Sequence, residues 1–404
     1  MSKTLFLPLL AAGLLSAAEP SSGLWDATIT YNDVAIPFRM EIAVNGAKAS
    51  GSFLNGEERL QSTSGAYANS ALSLRFDYLN GKLDAAWDGT TFKGAYLRNG
   101  RTYPFEARRF APLTSENVQI PNIAGTWVVQ VPNGKLEKAW WLYVRQSGAE
   151  ATASILRVDG DTGTLSGSFR DGKFVLSHFS GSRPAKFAVS ANPDGTLAVI
   201  QNDKLELTAV RSDEARRKGL PEPADPSRHT SVKDPTERFR FSGKDWKTGQ
   251  LVNETDPRWQ GNVLLVSIGG TWCPNCHDEA PFLVELNRQY AAKGLRIVSL
   301  SFEEEDQLKD PRRLRAFVEK YGIQHTMLLS GTQEQISEVI PQAVNLTTWP
   351  ATFFIGRDGR VKGVHAGFAS EATGEEHIRL KAEVRHTIEK LLAETNSVST
   401  TSVR

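Results

Sequence analysis

From Leu24 to about Phe110, hydrophobic and polar positions alternate in short runs such as Pro37 to Val44 and Ala71 to Tyr78. The runs end at turn pairs: Asn45-Gly46, Asn55-Gly56, Asn80-Gly81, Asp88-Gly89 and Asn99-Gly100. A period of two puts one face of a strand in a core, and these pairs suit tight hairpins because both residues tolerate positive φ. The stretch predicts an all-β unit of about seven or eight strands. The pattern then begins again. Gly23-Leu24-Trp25 is echoed by Gly125-Thr126-Trp127, Ser64-Gly65 by Ser166-Gly167, and Asp88-Gly89-Thr90 by Asp194-Gly195-Thr196. This self-similarity marks a duplicated β-module, placed at 19–110 and 121–212, each copy closing as a small barrel or stacking as a sandwich. Trp25, Trp87, Trp127, Trp140 and Trp141 are expected to fill the two cores, since aromatic side chains dominate core burial. A ligand pocket of lipocalin-like kind is the competing use for them.

The rhythm changes after Ser212. Pro221, Pro223, Pro226 and Pro235 lie among many charges, so 213–235 reads as a linker, and the units on either side are expected to melt separately. Beyond it, wholly apolar strands (Val263 to Ile268, Leu295 to Phe302) alternate with helical patterns: one running to about Lys293, then Arg313 to Tyr321 and Glu334 to Val344. A short strand at Met327 to Leu329 falls between the last two. Ala351 to Ile355, the turn Asp358-Gly359 and Val361 to His365 form a hairpin, and a helix from about Glu376 to Ala393 closes the unit. Strands alternating with helices predict an α/β sheet with parallel pairs over 236–393, covered on both faces. Residues 394–404 read as a polar tail.

Composition narrows the function. With 47 Lys and Arg against 46 Asp and Glu, no polyanion such as nucleic acid is an expected partner. Residues 1–18 have one Lys, an apolar run from Leu5 to Leu15 and a small-residue end at Ser16-Ala17-Ala18, the layout of a signal peptide cleaved after Ala18. The run is short of the ~20 residues a spanning helix needs, so an uncleaved anchor is the weaker reading. Export to a periplasm would set oxidising surroundings.

Those surroundings matter because the chain has only two cysteines, Cys273 and Cys276, in Cys273-Pro274-Asn275-Cys276. The pair follows an apolar strand and opens a helix, where unpaired N–H groups and the positive end of the helix dipole favour a thiolate at Cys273. Pro274 fits the first helical position, which needs no N–H. Cys276, one turn deeper, is expected to be the less exposed, resolving thiol. A zinc half-site would need two further ligands, with His277 and a distant His the only candidates, so no metal is expected. A purely structural disulfide closes too small a loop to stabilise much. A peroxidatic cysteine would want a Pro-x-x-x-Thr-x-x-Cys pattern that Thr271 does not complete. Dithiol–disulfide exchange is the best reading. His277 is expected to face solvent.

Residues 236–393 resemble the TlpA-like branch of the thioredoxin superfamily. Thr271-Trp272-Cys273-Pro274-Asn275-Cys276 matches its active-site motif, Asp278-Glu279-Ala280-Pro281 the turn after it, and Thr348-Trp349-Pro350-Ala351-Thr352-Phe353 its cis-proline loop. The strand and helix ahead of that loop match the branch's central βα insertion. Ser267 stands where thioredoxin has a buried Asp, and Trp349 where many relatives carry a smaller residue. The resemblance implies a thioredoxin fold, with Cys273 as nucleophile, Cys276 as resolving thiol, and Trp272, Pro274, Trp349 and Pro350 shaping the site. Pro350 is expected to be cis. Glu279 lies three residues past Cys276 on one helical face, where a carboxylate can accept that thiol's proton.

The expected function is that of an exported protein-disulfide reductase needing no cofactor. Its partners would be disulfide-containing extracytoplasmic proteins and an upstream membrane or soluble dithiol donor, and the resemblance implies a relay such as those of cytochrome c maturation. The alternative is a β-barrel ligand-binding protein whose redox domain is regulatory or structural.

Overall fold

The computed structural model describes residues 20–112 and 119–394; the expected signal peptide and the tail from residue 395 lie outside the described residues. Nine antiparallel strands, from Gly23–Tyr31 to Arg101–Arg109, form the first sheet. Its first strand pairs with both the second and the last, and Val34–Asn45 pairs on to Lys48–Asn55. The sheet therefore closes on itself as a barrel, with the short Glu58–Gln61 a flap on its third strand. A second nine-stranded sheet, from Gly125–Gln130 to Leu205–Arg211, closes in the same order, with Gly160–Asp161 as its flap. Both modules are barrels rather than sandwiches.

The repeat is also visible in the packing. Trp25 and Trp127 are buried, and a guanidinium from the last strand lies over each ring: Arg109 at 5.2 Å and Arg211 at 3.9 Å. Gly125 has φ +122°, and a side chain there would run into Arg211, which is why glycine precedes the Trp by two in both copies. Trp87 and Trp140 belong to the two cores as expected. Trp141 does not. It follows Trp140 on the same strand, so it points outward, and with Tyr143 and Leu156 it packs against the C-terminal unit.

One loop of the second barrel is anchored inside the first. Phe179, at the end of Lys173–His178, inserts among Phe38, Phe53 and Tyr96 of the first barrel, with ring centroids 4.8, 5.0 and 5.3 Å away. Asn55 closes the joint by exchanging two hydrogen bonds with the Phe179 backbone, at 3.0 and 3.1 Å.

The stretch expected as a linker, 213–235, holds most of the helix Ser212–Arg217, then Pro226–His229 and the strand Ser231–Val232, which pairs with Ala343–Val344. Beyond them lies a seven-stranded sheet in the order Leu251–Asn253, Ser242–Asp245, Thr326–Leu329, Leu295–Ser301, Val263–Gly269, Ala351–Ile355, Val361–Ala366. Its three inner strands are parallel and the final hairpin is antiparallel. Helices Pro274–Tyr290 and Glu375–Ala393 pack on it. The helix expected from Glu334 to Val344 is only a single turn, Ile336–Val339 after a 3₁₀ start: Pro341 cannot continue a helix, and Ala343–Val344 is used as a strand. Among the described residues no helix is long and apolar enough to cross a membrane.

Candidate active site

The central strand Val263–Gly269 is apolar and buried, and it ends at two glycines that let sulfur and indole come close. A side chain at Gly269 would meet Cys276 Sγ, and one at Gly270 would strike Trp272. Cys273 then caps the helix Pro274–Tyr290, its sulfur accepting the Cys276 N–H at 3.2 Å, with Pro274 at the first helical position. The two cysteines are joined as a disulfide.

Around this pair the loop is braced from below. Glu303 accepts from Thr271 N at 2.7 Å, Thr271 Oγ1 at 2.8 Å and Ser301 Oγ at 2.6 Å. Arg313, buried with it, donates to Glu303 at 2.6 Å and to Thr271 Oγ1. Neither residue stood out in the sequence, because nothing in the spacing links position 303 or 313 to 271. Trp272 donates its indole N–H to Phe302 O at 2.8 Å and meets Trp349 edge-on at 5.4 Å. The Trp349-Pro350 bond is cis.

Glu279 is buried. Its carboxyl accepts from Ser267 Oγ and Thr352 Oγ1, each at 2.8 Å, so Ser267 acts as the carboxylate's hydrogen-bond partner. Burial pushes its pKa up, and the two hydroxyls only partly offset this. A cavity of about 30 Å³, room for a water, is bordered by both Cys276 and Glu279.

Two expectations are corrected. His277 does not face solvent: its ring nitrogens meet Thr271 O at 2.9 Å and Tyr321 OH at 3.0 Å, and it packs on Phe317 and on Tyr78 of the first barrel. Burial drives its pKa down to about 3, so it is a neutral brace. The second concerns exposure. Cys276 is not the more hidden thiol, for Cys273 is 2% exposed and Cys276 7%. The reason is a roof supplied by another domain, which no local pattern foretells.

That roof is the second barrel. Asn275, inside the Cys pair, donates to Asp159 O at 2.8 Å and accepts from Arg183 Nη1 at 2.5 Å. Arg183 also pairs with Asp278 at 3.0 Å, and burial raises the Asp278 pKa to about 6 against the opposing pull of Arg183. Asp161 accepts from Ser370 N and Ser370 Oγ, at 2.5 and 3.0 Å. The first barrel adds Arg98, which donates to Trp272 O at 2.9 Å. Between roof and motif lies an open cleft of about 350 Å³, lined by Trp272, Cys273, Asn275 and Trp349 on one side and Arg157, Asp159 and Arg183 on the other. Among the described residues no His, Cys, Asp and Glu group has the arrangement to hold a metal ion.

Residues 238–378 match the Redoxin family. The chain is 25% identical over 121 residues to thioredoxin-like protein YneN of Bacillus subtilis (strain 168), covering 30% of this chain and 66% of that protein. It is 28% identical over 102 residues to thiol-disulfide oxidoreductase ResA of Bacillus thuringiensis (strain Al Hakam), covering 25% of this chain and 53% of that one. The chain thus spans between half and two thirds of these relatives' lengths. A solved structure of a thioredoxin family thiol:disulfide interchange protein from Chlorobium tepidum TLS is 23% identical, covering 40% of this chain and 99% of that one, with a TM-score of 0.30. The C-terminal domain thus matches the Redoxin family over residues 238–378 and is similar to TlpA-like thiol-disulfide oxidoreductases of the thioredoxin superfamily, with two β-barrels ahead of that domain.

Proposed function

We propose that the chain is an exported thiol–disulfide oxidoreductase that reduces disulfides of extracytoplasmic partners through Cys273 and Cys276. The observation that carries this is the disulfide at the start of Pro274–Tyr290, with a buried carboxyl group, Glu279, sharing a water-sized cavity with the second sulfur. In the reduced protein the helix start favours a thiolate at Cys273. It attacks one sulfur of the substrate disulfide; that bond breaks, and the other substrate sulfur leaves as a thiolate and takes up a proton. In its ionised form Glu279 takes the Cys276 proton; Cys276 attacks Cys273 Sγ, the mixed disulfide breaks, and the second substrate sulfur leaves as a thiolate and takes up a proton from solvent. Two electrons have then moved to the substrate, and the protein holds its disulfide. A dithiol donor, membrane-bound or soluble, restores it, and no bound cofactor takes part.

The proposed direction is reductive. Ionised Glu279 disfavours a thiolate nearby, and the cation that Arg183 brings to Asn275 is already paired with Asp278, so it adds little support to a thiolate. Equilibration against glutathione buffers tests this. A potential near that of thioredoxin, with insulin reduction abolished by Cys273→Ser, is expected. A dithiol that stays reduced where thioredoxin is fully oxidised makes the protein an oxidant instead.

A further inference from the structure

The cleft over Cys273 is built from two domains, and its walls differ in chemistry. On the redox side stand the sulfur, two indoles and Thr348, whose hydroxyl is buried and makes no hydrogen bond among the described residues. On the barrel side the charged residues are Arg157, Asp159, Asp161 and Arg183. Asp161 is taken up by Ser370 and by Gly163 N, and Arg183 by Asp278 and Asn275. Among the described residues Arg157 has no such partner. Its guanidinium lies over the Trp140 ring at 4.2 Å and its Nε is buried without a hydrogen bond, while Asp159 and Glu137 act on it only from longer range. A half-buried cation left unpaired is costly, and a guanidinium placed over an aromatic ring keeps its N–H fork for two-point pairing with a carboxylate.

We propose that the second barrel and the redox domain share a substrate site here, and that it takes disulfides bearing a carboxylate, which Arg157 holds while Cys273 meets the sulfur. This rests on the exchange function proposed above. A cleft of about 350 Å³ has the size of a small-ligand pocket. A disulfide on a small molecule, or on a flexible acidic segment, can enter it. One held on a rigid folded surface is kept off by the barrel wall. The Cys273 thiolate attacks the nearer sulfur of such a disulfide; the old S–S bond breaks as the new one forms, and the departing thiolate is protonated from solvent. Cys276 then completes the two-electron reduction.

The experiment measures how fast the fully reduced, full-length protein is oxidised by glutathione disulfide, neutral hydroxyethyl disulfide and cationic cystamine. Two disulfide-linked peptides differing only in acidic or neutral flanks are run alongside. The anionic reagents are expected to react about tenfold faster than the cationic one. Arg157→Gln should remove that advantage without slowing hydroxyethyl disulfide, and Arg157→Lys should restore part of it. Melting curves check that the variants fold. If Arg157→Gln does not fold, raising the salt concentration on the unmodified protein should erase the preference in its place. An Arg157-dependent gain with the acidic peptide identifies a polypeptide occupant, and a gain with glutathione disulfide a small-molecule one. Equal rates for all charges, a preference that salt leaves intact, or equal slowing of neutral and anionic reagents by Arg157→Gln overturns the proposal. A dithiol that no disulfide oxidises overturns the exchange function itself, and this site with it.

Discussion

Glu279 is a carboxyl group sealed between the active-site helix and the sheet, with a pKa raised by burial. Between the ordinary carboxylate value and the raised one, the native protein therefore keeps a proton that the unfolded chain loses. The stability this group contributes is complete below the ordinary carboxylate value and is lost as pH rises through the raised one. Glu279→Gln cannot ionise, so melting temperatures measured across that range should fall less steeply with pH than those of the unmodified protein. Single-turnover kinetics should show mixed-disulfide release slowed on the order of 100-fold, with formation unchanged. Release at the original rate would remove Glu279 from the chemistry. The Arg313–Glu303 pair is tested by Arg313→Met, which strands a buried carboxylate under Thr271 and should cost about 3–5 kcal/mol in denaturant unfolding. The two cysteines and Glu279 were legible in the sequence because strand, cap and helix are neighbours along the chain. Arg157, Arg183, Asp161 and Arg313 were not, since only tertiary contact brings them to the site.

Among the elements, turn chemistry was the readable signal. Asn-Gly and Asp-Gly pairs marked the hairpins, while barrel closure depends on pairing the first strand with the last, as Trp25 does with Arg109, and no local pattern encodes that. The same distance effect hid the outward role of Trp141 and the insertion of Phe179. Phe179 is the one aromatic that the second barrel lodges in the core of the first. Phe179→Ala should cost about 3–5 kcal/mol, read by denaturant titration. Because this loop runs on to Arg183, the variant should also loosen the contact with Asn275, which hydrogen exchange at the helix start can detect. Unchanged exchange there would mean that the two ends of the loop act independently.

In the whole molecule, a polar junction joins all three domains: Glu58 from the first barrel, Asp161 and Arg183 from the second, Asp278 and Lys320 from the redox domain. Burial is the largest influence on both Glu58, raised to about 7, and Asp278, raised to about 6. Both native values exceed the ordinary ones, so stability is full at acid pH and declines as pH climbs from about 4 to about 7. Glu58→Gln and Asp278→Asn should each flatten that decline in a pH series of melting temperatures; parallel curves would show the junction to be too hydrated to matter. The same contacts argue against the separate melting expected from the proline-rich stretch. The domains should unfold in one transition, and calorimetry resolving two would show the interfaces to be weak. The covered position of Cys273 has an electrical analogue in an insulated conductor. The potential of a thiol pair fixes which way electrons run, while insulation fixes which circuits can connect to it. Two proteins of equal potential can then differ in which disulfides discharge them, and in this chain the sulfur's surroundings would tune the voltage while the barrel selects the contacts.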